Sequence, residues 1–322
     1  MRYVIIGGSG FVGSELIKEL LARKEKNIVV LDVVRPAYDV KYVEQDIRND
    51  LTFEFLPDDV VVGLAANQYH HAVPKKHRQE FFEEVNTHGT ENILKKMLAD
   101  GAKNMVFFST DMVYGKPQYL PVDTKHPTQP FGYYGKSKMK AEQICQRYRD
   151  KGFNITIFRP RMIIGRGRFG ILVKLFKLIE LNLPVPMIGS GKNCYQMIAV
   201  NDCAQAILKA IEHNFPNKAY NLGSYNPPRV RELLRGVIKE NKSKSLLLPT
   251  PGKLVKLCLK TLGVLGLEIM YKEQYMIADE NYLIDISETE KDLDWHPQFD
   301  DTSMLKAAFQ EYKNKSHNKK AR

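Results

Sequence analysis

Tyr134 and Lys138 stand four residues apart in a stretch, 130–142, that reads as a helix. At that spacing their side chains share one face, one turn from each other. A phenol is a poor base at neutral pH, because its pKa is about 10. Bringing it to neutrality takes about three units, or about 4 kcal/mol. One positive charge at about 4 Å supplies that much at an effective dielectric near ~20. Lys138 is such a charge, and an oxidised nicotinamide ring would be a second. The pair makes sense as a proton-transfer device beside a redox cofactor, although Tyr and Lys at this spacing also arise by chance on helices.

The preceding residues lay out a frame for such a cofactor. Residues 2–6 read as a buried strand, lead into Gly7, Gly10 and Gly13, and are followed by an amphipathic helix over 11–22. This GxxGxxG spacing suits a tight turn, close backbone approach to a pyrophosphate, and a helix N-terminus aimed at its charge. A second strand, 27–31, ends in Asp32, an acid placed to hold the adenosine ribose hydroxyls and to repel a 2′-phosphate. NAD is therefore expected over NADP, with Arg35 near enough to soften the preference. Strands at 41–44, 58–64, 104–108 and 154–158 alternate with helices at 77–99 and around Tyr134, the α/β signature. Asp46 and Ile47 follow the third strand, beside the expected adenine. Leu64, Ala65 and Ala66 end the fourth, where small residues let backbone lie against a cofactor or simply pack closely. Ser109 and Thr110 end the fifth, at the carboxyl edge where open parallel sheets bind ligands. A hydroxyl there can serve the oxygen that Tyr134 serves, or merely cap the chain.

Taken together, several features resemble the extended short-chain dehydrogenase/reductase family. They are the glycine spacing, Ala65-Ala66, Asn86 with Gly89 and Thr90, Ser109-Thr110 followed by Val113, Tyr114 and Gly115, and Tyr134 with Lys138. More narrowly they resemble its NAD-dependent epimerase/dehydratase branch, whose members mostly act on nucleotide sugars. The match runs in order over roughly 1–225. It implies an α/β enzyme, a Rossmann-type doubly wound parallel sheet with a smaller, mostly C-terminal substrate-binding domain. On that reading 1–165 bind NAD with 193–223 returning to them, 166–192 and 224–312 form the substrate domain, and 313–322 are a basic, disordered tail. The resemblance makes Tyr134 the acid/base, Lys138 the holder of the nicotinamide ribose that lowers the tyrosine pKa, and Thr110 the hydroxyl partner. It implies further cofactor contacts at Gly7, Gly10, Phe11, Val12, Gly13, Asp32, Asp46, Ile47, Leu64, Ala65, Ala66, Asn86, Ser109 and Pro160. Substrate contacts are implied at Thr110, Asp111, Met112, Arg161, Tyr195 and Arg231. A homodimer through the long helices is typical of the family.

Two departures narrow the chemistry. Where many nucleotide-sugar enzymes carry a diphosphate-binding arginine, this chain has Tyr195. Arg161, Arg166, Arg229 and Arg231 are the candidates to replace it. Sugar 4,6-dehydratases carry an Asp-Glu pair after the threonine; here it is Asp111-Met112, and a methionine cannot abstract a proton. The reaction that the resemblance implies is then epimerisation at C4 of a nucleotide-linked sugar through transient oxidation by NAD. The rivals are a net dehydrogenase or reductase acting on a hydrophobic, sterol-like alcohol, and a dinucleotide-binding scaffold without activity.

Residues 252–267 add a third possibility. Lys253, Lys256 and Lys260 share one helical face, while Leu254, Leu257, Cys258, Leu262 and Leu265 supply apolar surface. The plain reading is a helix over the substrate cleft. The sharper one is an element resting on a membrane, which suits a polyprenyl-diphosphate-linked sugar, as in the lipid-linked GlcNAc 4-epimerases that this region resembles. Trp295, in a closing turn over 293–297, reads as a packing anchor.

The 322 residues, 43% of them hydrophobic, suffice for one large domain and a smaller companion. The net charge of +11 favours acidic partners. No aromatic-interleaved basic motif marks a nucleic-acid reader, so a diphosphate-bearing small molecule is the expected partner. Cys145, Cys194, Cys203 and Cys258 form no CxxC pair and have no histidines at ligand spacing, so reduced thiols, no metal and a cytoplasmic setting are expected. A strand beginning at Arg2 leaves no leader, and no apolar run reaches membrane-spanning length. All of this requires Tyr134 to face an open cleft. A mouth filled with packed side chains would leave a nucleotide-shaped fold without chemistry.

Overall fold

The computed structural model describes residues 1–322 apart from 70, 166–168, 171, 266, 321 and 322, and the side chains of 317–320. Strands apolar on both faces need cover on both faces. In β1 (Arg2–Ile6), Tyr3 and Ile5 enter one core while Val4 and Ile6 enter another. The same holds along β2 (Ile28–Asp32), which with β3 (Lys41–Glu44), β4 (Asp59–Gly63), β5 (Asn104–Phe108) and β6 (Asn154–Pro160) builds a parallel sheet. After β7 (Met162–Ile164), β8 (Val185–Ile188) and β9 (Met197–Ala199), the chain returns to it as β10 (Ala219–Leu222). The sheet order is β3-β2-β1-β4-β5-β6-β10, seven parallel strands whose order of addition reverses between β1 and β4. That reversal is where such sheets open a ligand crevice.

One face is covered by α1 (Phe11–Ala22) and α6 (Val200–Glu212), the other by α3 (Thr90–Asp100) and α4 (Tyr133–Arg149). A third core joins β8, α5 (Leu172–Glu180), α7 (Val230–Glu240) and α11 (Asp301–Lys320). Trp295 is buried and donates Nε1 to the Asp202 carbonyl at 3.0 Å, an anchor between this region and α6.

Two elements differ from the sequence reading and two more lie beyond it. The helix expected over 77–99 is broken into α2 (Arg78–Glu83), a π-helical turn (Glu84–Gly89) and α3. A Cβ at Gly89 would lie 2.6 Å from Ile47 Cδ1, so the turn carries the glycine that lets Ile47 in. The segment after α5 contains β8, paired in parallel with β11 (Leu247–Thr250). α6 begins on Ala199 with no side-chain cap, and Asp202 in its first turn accepts from the amides of Gln298 and Phe299. Residues 313–320, expected to be disordered, continue α11. α8 (Gly252–Val264), α9 (Lys272–Tyr275) and α10 (Ser287–Leu293) complete the chain. Among the described residues no helix is long and apolar enough to cross a membrane, and no cluster of His, Cys, Asp or Glu has metal-binding geometry.

Candidate active site

α4 buries Tyr134, Lys138 and Glu142 at successive turns of one face. The Tyr134 ring lies between Tyr69, edge-on at 5.8 Å, and Phe82, tilted at 5.9 Å. Its oxygen accepts a hydrogen bond from Gln68 Nε2 at 2.9 Å. A donor aimed at that oxygen favours the phenolate. The Lys138 ammonium lies 4.0 Å from the Phe107 ring centroid. Burial lowers its pKa to about 8, with Cys145 and Glu142 opposing the fall. Lys138 therefore keeps its charge at pH 7. Glu142 holds α4 against β6 through a two-pronged pair with Arg159, at 3.1 and 2.6 Å, and Arg159 donates on to the Tyr114 hydroxyl at 2.9 Å.

Asn86, implied as a cofactor contact, does a different job. It is wholly buried, its oxygen accepts from Asn67 N, and its amide donates to the Asn67 carbonyl and to Ser137 Oγ at 2.9 Å. With every polar atom engaged, Asn86 positions the 67–69 segment against α4.

At the first β-turn-α unit the backbone is drawn in tightly. Gly7 has φ +80°, and a Cβ there would sit 2.4 Å from Ala65 N; at Gly13 it would meet Gly8 Cα at 2.5 Å. Gly10 precedes α1, which has no side-chain cap and no acid in its first turn, so its first amides are left for an anion. Phe11 and Val12 open that helix. Asp32 ends β2 and accepts from Ser9 N at 3.0 Å and Val34 N at 3.2 Å, which fixes its carboxylate at the rim of the loop. Asp46 pairs with Arg48, and Ile47 is buried against Gly89. Leu64 and Ala65 bond to the Ile6 carbonyl, and Ala66 follows them. Ser109 Oγ is buried without a hydrogen-bond partner at the end of β5, and Pro160 is buried at the end of β6. A glycine cradle, uncapped helix amides, a rim carboxylate and an orphaned hydroxyl along one sheet edge fit a dinucleotide.

Thr110 takes the capping role, its Oγ1 accepting from Met112 N at 3.3 Å. Asp111 and Arg161 are both buried and ion-paired to each other. Arg161 is sandwiched between Tyr195 and Tyr282, with ring centroids at 4.5 and 4.1 Å, and its Nε and Nη2 have no partner. Tyr195 is thus a face for Arg161, which pairs with Asp111 through Nη1 and keeps two buried donors open. Arg229 is the N-cap residue of α7, its backbone amide donating to Glu232 Oε2 at 3.1 Å, while Arg231 lines a separate cavity of about 230 Å³ with Lys192 and Arg235. Arg166 and Arg168 lie outside the described residues.

The mouth of the cleft is covered, contrary to the requirement set by the sequence. Met112, Gly115, Phe131, Glu273, Ile277 and Tyr282 enclose a cavity of about 10 Å³, room for one water molecule. The cover is the strap 268–277. Glu268 pairs with Arg78 at 2.6 Å, Tyr271 stacks on Tyr69 at 4.3 Å, and the Glu273 carboxylate lies directly over Gly132 at the start of α4. That carboxylate faces the Tyr69 hydroxyl and the Tyr134 and Gly135 amides without meeting any in hydrogen-bond geometry. Burial pushes its pKa up to about 7. A single segment closed over an unsatisfied carboxyl is a poor permanent core, so the strap is read as a cover that moves. Gln68, Tyr69 and Glu273 escaped the sequence reading; a polar pair directly after Ala65-Ala66 was the only local signal for the first two.

A 4-epimerase of N-acetyl-α-D-glucosaminyl-diphospho-undecaprenol from Escherichia coli O157:H7 is 32% identical over 229 residues, covering 69% of this chain and 66% of that protein. A UDP-glucose 4-epimerase from Vibrio cholerae is 27% identical over 310 residues, covering 91% and 90%. The crystal structure of UDP-glucuronic acid 4-epimerase from Bacillus cereus in complex with NAD superposes with a TM-score of 0.78 at 19% identity, over 98% of this chain and 99% of that one, a likeness of fold. Residues 3–223 match the NAD dependent epimerase/dehydratase family, and the chain belongs to that family.

Proposed function

We propose that this protein is an NAD-dependent 4-epimerase of a diphosphate-linked sugar. The observation that carries the reading is the Tyr134 oxygen, held by Gln68 in an aromatic cage one helical turn from the buried Lys138 ammonium. Tyr134 takes the proton of the sugar hydroxyl. Lys138 and the Gln68 amide stabilise the phenolate before the proton arrives, and Tyr134 gives the proton back to the sugar oxygen at the end. NAD bound along the sheet edge would supply a reversible acceptor for the hydride of the same carbon. Gly7, Gly10 and Gly13 hold the pyrophosphate, Asp32 the ribose and Ser109 an oxygen at the sheet edge. Thr110, Asp111 and Met112 line the sugar side, with Arg161 fixing Asp111. Met112 offers no base, so elimination does not compete. The strap excludes water once substrate is in place.

Two carriers for the sugar are chemically sound. A nucleoside diphosphate suits the fold. A polyprenyl diphosphate is favoured by one specific arrangement: Tyr195 stands where the usual arginine would, and packs on Arg161. We assign the assembly as a homodimer through the outer faces of α3 and α4, where Leu98 is exposed. The setting is cytoplasmic, in keeping with four free cysteines.

An epimerase that regenerates its cofactor has no need to release it. The protein purified without added cofactor is therefore expected to carry NAD(H) through gel filtration, released on denaturation and read by absorbance and mass. A protein that emerges free of it and turns over only with added NAD or NADP is a net dehydrogenase instead.

A further inference from the structure

α8 presents its apolar residues outward. Of its thirteen residues only Leu259 is buried. Leu254 is 57% exposed, Leu257 59% and Val264 81%, and Leu265 beyond the helix is 69% exposed. At 100° per residue these four, with Cys258 and Thr261, fall on one stripe about a third of the helix wide. Lys253 and Lys260 are exposed along one flank of it. The helix carries no acidic residue.

The orientation is fixed. Lys256, on the inner side of that flank, pairs with Asp279 and donates to the Met276 carbonyl at 2.8 Å. Lys174 donates to the Ile269 carbonyl at 2.7 Å, which ties the segment after α8 to α5. A contiguous apolar patch on a tethered helix is an interaction surface.

The geometry points to the surface of a phospholipid bilayer with anionic headgroups as its occupant. An apolar stripe edged by lysines and free of carboxylates is the pattern of a helix lying in the membrane interface. A net charge of +11 draws the chain toward anionic lipid at long range. A second copy is the poorer fit. A two-fold contact through α8 would oppose Lys253 and Lys260 to their own counterparts, with no acid on the helix to meet them. The strap that covers Tyr134 follows α8 directly, so docking places access to the site at the lipid surface. Membrane binding stands on the surface alone; its link to a lipid-borne sugar rests on the reading above.

Flotation of the full chain with vesicles tests the proposal, using phosphatidylcholine alone and phosphatidylcholine with a third phosphatidylglycerol. Co-flotation with the anionic vesicles is expected, weaker with the neutral ones and weakened by salt. The double variant Leu254→Asp/Leu257→Asp is expected to lower partitioning about tenfold or more, and Lys253→Glu/Lys260→Glu about tenfold with loss of the salt dependence. Thermal unfolding and NAD(H) retention should match wild type in both, which separates a lost surface from a lost fold or a failed catalytic reading. No flotation with either vesicle overturns the proposal, as does flotation untouched by the leucine substitutions. A dimer in light scattering that Leu254→Asp/Leu257→Asp dissociates would assign the face to a second copy instead.

Discussion

Replacing Glu273 with glutamine isolates the charge that the closed strap buries. The side chain keeps its size and hydrogen-bonding capacity but no longer titrates. In wild type, burial raises the carboxyl from an ordinary 4.5 to about 7, with the Tyr69 hydroxyl, the Tyr134 and Gly135 amides and Lys136 pulling the other way. A difference of that size corresponds to about 3 kcal/mol. The closed form binds the proton more tightly than the open one. Its advantage is therefore complete below pH ~4.5, falls about tenfold per pH unit up to ~7, and is gone above that. Hydrogen exchange of the 268–277 amides between pH 5 and 8, corrected for intrinsic rates, reads this equilibrium. Protection of the strap in wild type should fall by about two orders of magnitude across that range, and in Glu273→Gln it should stay flat. A strap whose protection ignores pH in wild type, or falls equally in Glu273→Gln, would refute this view of the cover.

Gln68→Leu removes the donor to the Tyr134 oxygen and leaves the aromatic cage. A hydrogen bond to a charged group is worth about 1.5–3 kcal/mol, so kcat at pH 7 should drop about tenfold or more, and the acidic limb of the rate profile should move to higher pH. A pH profile like that of wild type would remove Gln68 from the mechanism. Glu142→Ala leaves Arg159 buried without its partner and should cost about 3–5 kcal/mol by denaturant unfolding, whereas Arg23→Ala, which breaks an exposed pair with Glu212, should cost less.

Residues that act through near neighbours were legible in the sequence. The glycines of the first turn, Asp32 at the end of β2, and Tyr134 with Lys138 each carry a spacing that constrains local geometry. What distance in the chain conceals was not. Gln68 reaches Tyr134 across 66 residues, and Glu273 closes on α4 from more than a hundred residues away, with no pattern marking either. Asp111 and Arg161 are recognisable as polar residues at strand ends, yet nothing local marks their mutual pairing. The break at Glu84–Gly89 keeps nearly the apolar rhythm of a continuous helix, so only the approach of Ile47 to Gly89 accounts for it. β8 and β11 are four-residue strands that exist because they pair, sixty residues apart.

The most direct test of the Tyr134–Lys138 assignment is proton NMR of the purified protein with UDP-, GDP- and dTDP-sugars and one polyprenyl-diphosphate-linked N-acetylhexosamine. A new anomeric signal is expected with at least one of them, with the hydrogen at C4 retained in D₂O and the signal absent in Tyr134→Phe. Turnover that survives Tyr134→Phe, or a C4 hydrogen exchanged for deuterium, would contradict the mechanism.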